Sequence, residues 1–137
     1  MRWRVAAALV VATLIGSASR MLAEQGRSIS EVRVYVHYHD PADSPIVDGI
    51  AHMLESLDYH VMDKRLVSQP SSGDVRFFHE PDRAAALHVQ GIVENFLLSH
   101  GWSIRLALLD RRGRFRSARP GLVEVWIPKP PENVEYR

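Results

Sequence analysis

Two periodicities alternate along this chain. In "EVRVYVHYH", residues 31–39, Val32, Val34, Val36 and Tyr38 alternate with Arg33, Tyr35, His37 and His39. That period of two predicts a strand buried on one face only. "DPADSP" follows as a turn, with Ser44 placed to cap a helix and Pro45 at its first position. Ile46, Ile50, Met53, Leu54 and Leu57 then recur at helical spacing and predict one apolar stripe. "YHVMDKRLV" (59–67) reads as a second strand and "SQPSSG" as a loop.

"DVRFFHE" (74–80) predicts a third strand, and Pro81 opens a long helix with Ala85, Val89, Ile92, Val93 and Phe96 on its inner face. Gly101 stands where a helix C-terminal glycine belongs. "SIRLALLD" (103–110) is a weaker strand, "RRGRF" a turn, and "GLVEVWI" (121–127) a closing strand. The order is strand, helix, strand, strand, helix, strand, strand: tandem βαβ units in an α+β two-layer sandwich. It predicts two helices on one face of a mainly antiparallel sheet. The domain is expected over residues 30–128, with 129–137 as an exposed Pro-rich tail.

The first 23 residues have neither period. "MRWRVAAALVVATLIGSASRMLA" has two arginines, then an uncharged run over residues 5–19, then small residues where a peptidase could cut. This is the order of a secretory signal peptide; the alternatives are an uncleaved N-terminal anchor tethering the chain to a membrane through residues 5–19, and a buried helix of the fold. The first two predict export, to the periplasm or cell envelope. The segment also changes the charge. It holds three of the seventeen basic residues and none of the sixteen acids, so the remainder is slightly acidic. No nucleic-acid partner is expected of it. The chain has no cysteine, which excludes disulfides and thiolate metal sites.

"DVRFFHEPDRAAALHVQGIVENFL" resembles the second half of the LytR C-terminal domain family, most specifically at Asp82-Arg83-Ala84-Ala85-Ala86. "EVRVYVHY", the following helix and "YHVMDKRLV" are similar to its first half, and "RPGLVEVWIP" to a closing strand of envelope proteins with such domains. Two positions depart from the pattern. "HDPADSP" replaces an Asn-Gly-rich turn, and Asp58 replaces a glycine before the second strand. The resemblance implies a ferredoxin-like, SPOR-like fold in a cell-envelope setting, glycan binding on an open sheet and no catalytic apparatus.

The candidate chemistry lies on the polar side of the strands. His37 and His39 fall on one side of the first strand, and two imidazoles at i and i+2 can share a metal, with Asp40 or Glu80 to complete the set. A His-x-His pair alone is a weak signal, and the remaining histidines lack ligand spacing. The alternative is a polar sheet face of Arg33, Tyr35, His37 and His39. Glu124 and Trp126 would join it if Val123, Val125 and Ile127 point inward. The third strand would add Arg76 and Phe78, or else Phe77 and His79. An open sheet bearing aromatics can stack on flat ligands such as sugars or bases; the alternative is that Trp126 is simply a core or edge aromatic. Asp82 and Arg83 read as helix-opening residues, Asp82 favouring the first-turn amides. No nucleophile motif is present. "RRGRFRSAR" (111–119) is a basic loop, either solvated or suited to phosphate or anionic lipid.

The expected function is therefore a non-catalytic envelope domain, needing no cofactor or metal, that binds peptidoglycan or another glycan through its open face. The alternatives are an envelope protein-interaction module without a glycan ligand, and a metal-dependent hydrolase built on the histidines.

Overall fold

The structure is a computed structural model that describes residues 26–115 and 117–132. The signal or anchor reading of residues 1–23 and the end of the tail lie outside the described residues. Among those described, no helix is long and apolar enough to cross a membrane.

Five strands and two helices follow the expected order: β1 (Arg33–Tyr38), α1 (Ser44–Ser56), β2 (His60–Leu66), β3 (Asp74–Phe77), α2 (Arg83–Ser99), β4 (Ala107–Asp110) and β5 (Leu122–Trp126). The fold is α+β, a five-stranded mixed sheet with two helices in a two-layer sandwich. The spatial order is β2-β1-β5-β3-β4. The expectation of a mainly antiparallel sheet is overturned. β1 runs parallel to both β2 and β5, β3 runs parallel to β4, and only β3 and β5 are antiparallel. Each helix carries the chain back to the end where its first strand began, and the returning strand lies directly beside that first strand. Such a connection enforces parallel pairing. In a split βαβ unit of the ferredoxin-like kind, another strand lies between the two.

The inward alternation holds. Val32, Val34, Val36, Val75, Phe77, Val123, Val125 and Ile127 are buried with Ile46, Val47, Ile50 and Leu54 of α1 and Ala85, Ala86, Val89, Val93 and Leu97 of α2. The α1 stripe is rotated from the expected one: Val47 and Ala51 are buried, whereas Met53 and Leu57 are exposed. Gly49 of α1 lets the helices meet, since a Cβ there would lie 2.4 Å from the Phe96 ring of α2.

The two halves end their helices in the same way. Tyr59 N–H donates to Leu54 O (3.1 Å) and Trp102 N–H to Leu97 O (2.9 Å), each just after a residue of positive φ, Asp58 (69°) and Gly101 (82°). This is a Schellman termination, and its apolar follower is buried in both cases. Asp58 thus occupies a left-handed position suited to glycine.

Three further features shape the sheet. Val34 pairs with Val61 and Tyr35 with Asp63, so Met62 forms a bulge in the edge strand β2. The bulge flips the register beyond it. It puts Asp63 and Arg65 opposite Tyr35 and His37, and Lys64 opposite Val36, where its ammonium reaches Asp48 of α1 at 2.5 Å. β4 begins later than its sequence suggests because α2 holds the preceding backbone. Gln90 Nε2 donates to Leu106 O (2.6 Å), and Leu106 N–H donates to Glu94 Oε1 (2.8 Å).

Asp82, expected to cap α2, takes the N-cap position but makes no capping hydrogen bond. Its fully buried carboxylate instead accepts from Arg27 Nε (2.6 Å) and from Gly121 N–H (2.8 Å). It clasps the N-terminal segment and the turn into β5 to the start of α2. Gly121 has φ +89°, and a Cβ there would lie 2.6 Å from Glu31 O, so this crossing admits no side chain.

Candidate functional site on the open sheet face

Both helices cover one face of the sheet, and the other carries the side chains that alternate outward. The pairings set them in rows. His37 of β1 is opposite Trp126 of β5, Tyr35 is opposite Glu124, and Glu124 is opposite Arg76 of β3. The choice left open for β3 is resolved by Phe77, which is in the core, so Arg76 and Phe78 belong to the open face.

This arrangement changes what Trp126 can do. The His37 ring is stacked on it at 4.2 Å with 4° between planes, and the Arg76 guanidinium lies 4.2 Å from its ring centroid. These two partners come from the strands on either side of β5, so both faces of the indole are taken. Its Nε1–H donates to Glu124 Oε2 (3.0 Å), while Asp74 holds Arg76 in place at 2.6 Å. Trp126 is thus the centre of a cross-strand stack, not the free platform expected of it. Phe78 is 7% exposed and packs edge-on against Phe115, so it too presents no stacking surface. His39 is not brought to this face. Its Nδ1–H donates to Val67 O (3.0 Å), and it lines a separate hollow with Asp40 and Pro128.

What remains is a cleft of about 340 Å³ bounded by Arg33, Tyr35 and His37 of β1, Met62 and Arg65 of β2, Leu122 and Glu124 of β5, and residues 117–120. His79 holds that last segment over the sheet, donating from Nε2 to Ala118 O at 2.7 Å. A second hollow, of about 310 Å³, lies on the other side of residues 117–118 and ends against Trp126 and Phe78.

The Arg65 guanidinium lies 5.0 Å from the Tyr35 ring centroid and is paired with Asp63 at 2.9 Å. That hydrogen bond holds the Asp63 carboxyl below its ordinary range. His37 is 7% exposed, and neither ring nitrogen has a hydrogen-bond partner among the described residues; Glu124 Oε1 is 4.0 Å from Nε2. Burial pushes the imidazole pKa down, opposed by Glu124 and reinforced by Arg65 and Arg76. His37 is thus a neutral ring at neutral pH.

Of the residues expected on the face, Arg33, Tyr35 and His37 converge on the cleft, and Arg76, Phe78 and Trp126 build the wall beside it. Arg65 and Arg119 complete the cleft and were not expected there. Arg65 depends on the Met62 bulge, which no local pattern announces. Arg119 was visible only as part of a basic loop. Among the described residues, no three His, Asp or Glu side chains are grouped to hold a metal ion. The geometry provides guanidinium donors, an aromatic side and an uncommitted imidazole, which suits recognition of a small polar ring. The chain matches no family model, no curated protein and no solved structure in the comparisons made.

Proposed function

We propose that this chain is a non-catalytic cell-envelope domain that binds peptidoglycan or another glycan through its open sheet face. The single observation that carries the reading is the cleft beside Tyr35. A sheet face without a covering helix layer forms a concavity of about 340 Å³, large enough for a sugar ring and rich in hydrogen-bond donors. The leader-like residues 1–23 support an exported setting, in the periplasm or at the envelope, with or without a membrane tether.

The finer family reading belongs to the same proposal. Two strand-helix-strand units with a closing strand, and Asp82-Arg83-Ala84-Ala85-Ala86 at the start of α2, support kinship with LytR C-terminal and SPOR-like domains. The likeness is one of layout, since the strands of each unit are direct neighbours and not interleaved as in a ferredoxin-like sheet.

A second reading, an envelope protein-interaction module, draws on the β2 edge. There Met62 and Leu66 are half exposed beside the charged run Asp63-Lys64-Arg65. Cosedimentation with purified peptidoglycan sacculi separates the two. Binding that depends on Tyr35 supports the glycan reading, and failure to sediment leaves the β2 edge as the surface to pursue.

A further inference from the structure

The charges around the cleft are unbalanced. Arg33, Arg65 and Arg119 line it, against one carboxylate, Glu124, which already accepts from Trp126. Arg65 is paired with Asp63, but neither Arg33 nor Arg119 has a carboxylate partner among the described residues. Exposed arginines are ordinarily solvated, and three of them alone would mean little. The independent observation is His37, a buried imidazole that lines the same cleft with both nitrogens lacking a partner among the described residues. Buried polar groups are nearly always hydrogen-bonded, so an imidazole at a cleft wall without a partner points to a group supplied from outside.

We infer that this cleft binds an oxyanion, a carboxylate or phosphate carried on a sugar-sized body, with Arg33 and Arg119 as its charged clamps and His37 as a donor at its floor. The planar guanidinium fork suits two-oxygen acceptors of this kind. Tyr35, with Arg65 at its ring, offers the body of the ligand an apolar side. A neutral sugar would leave the two unpaired guanidiniums without a counter-charge, so the cleft discriminates by charge as well as shape. At the neighbouring end of the face Arg76 is already paired with Asp74. The inference rests on the glycan reading for the body of the ligand, but not for the anion.

The test is titration of the protein, followed by calorimetry and by the His37 ring resonances, with four probes at low salt: N-acetylmuramic acid, N-acetylglucosamine 1-phosphate, N-acetylglucosamine and inorganic phosphate. The two charged sugars are expected to bind and shift the His37 signals, the stronger of them identifying the anion. N-acetylglucosamine is expected to bind about tenfold more weakly or worse. Arg33→Gln and Arg119→Gln should each weaken the charged sugars by about three- to tenfold. Arg112→Gln, in the same basic loop but paired with Glu80 and Asp110 away from the cleft, should change nothing. Added salt should reproduce the loss. N-acetylglucosamine binding as tightly as the charged sugars would overturn the anion site and leave the glycan reading standing. Inorganic phosphate binding through Arg33 and Arg119, with no sugar bound, would support the anion site and remove the glycan reading. Silence from all four probes would overturn both.

Discussion

The imidazole of His37 and the indole of Trp126 lie parallel, 4.2 Å apart, on neighbouring parallel strands. With Arg76 on the other side of the indole, they form a three-layer stack across β1, β5 and β3. The sheet face away from the helices therefore has a small organised core of its own.

Trp126→Ala should accordingly cost stability, by about 2–4 kcal/mol, since it removes a large ring and strands both partners. Tyr35→Ala, at the cleft wall, should cost no more than about 1 kcal/mol. Urea unfolding of the two variants checks the contrast; equal and small losses would mean that the stack does not bind the strands together.

The pH dependence of stability should carry a His37 signature. Its folded-state pKa is depressed by burial, with Arg65 of β2 and Arg76 of β3 adding to the effect and Glu124 of β5 and Asp63 of β2 opposing it. The unfolded chain, with its histidine at about 6.5, then takes up the proton first. His37 therefore leaves stability intact above that value and lowers it as pH falls from there through the folded pKa. His37→Phe keeps a ring on Trp126 and should flatten this part of the profile between pH 7.5 and 5, measured as the difference from the parent in urea midpoint. Identical slopes would show that His37 titrates normally.

Asp82→Ala distinguishes a clasp from a cap. Loss of an N-cap side chain costs about 1 kcal/mol. Removing a buried carboxylate that holds Arg27 and Gly121 N–H should cost more, about 2–4 kcal/mol. Arg27→Ala should recover part of this loss in the double variant, because no guanidinium is then left without its partner. A loss near 1 kcal/mol in chemical denaturation would return Asp82 to a capping role.

Asp58→Gly should stabilise the fold by about 0.5–1 kcal/mol, because Asp58 holds a left-handed conformation (φ 69°) that its twin Gly101 adopts without a Cβ. Thermal unfolding reads the effect directly. A destabilised variant would mean that the Asp58 side chain contributes more than its backbone conformation costs.

These residues also mark how far the sequence could be read. β1, β5 and both helices were legible because their periods are local, as Val32, Val34 and Val36 or Ala85, Val89 and Val93 show. The helix C-termini were legible at Gly101 and, through the family resemblance, at Asp58. The N-termini were not, since Asp43 and not Ser44 takes the N-cap position of α1 and Asp82 makes no capping bond. Strand direction was not, because it depends on which strands become neighbours, a non-local outcome of how each helix packs back. The site failed in a similar way. Trp126 is apolar, flat and outward-facing in sequence, but only the register with His37 and Arg76 shows that both its faces are covered. Arg65 reaches the cleft through a one-residue bulge at Met62, and the two aromatics Phe77 and Phe78 take opposite faces by a register that either reading of "RFFH" allowed.

The most direct measurement of the central claim is cosedimentation of the protein with purified peptidoglycan sacculi, comparing the parent with Tyr35→Ala and Arg112→Gln at matched folded fractions. Saturable sedimentation of the parent and of Arg112→Gln, with most of it lost in Tyr35→Ala, is the expected result. A parent that stays in the supernatant, or a Tyr35→Ala variant that sediments as well as the parent, would contradict glycan binding at this cleft.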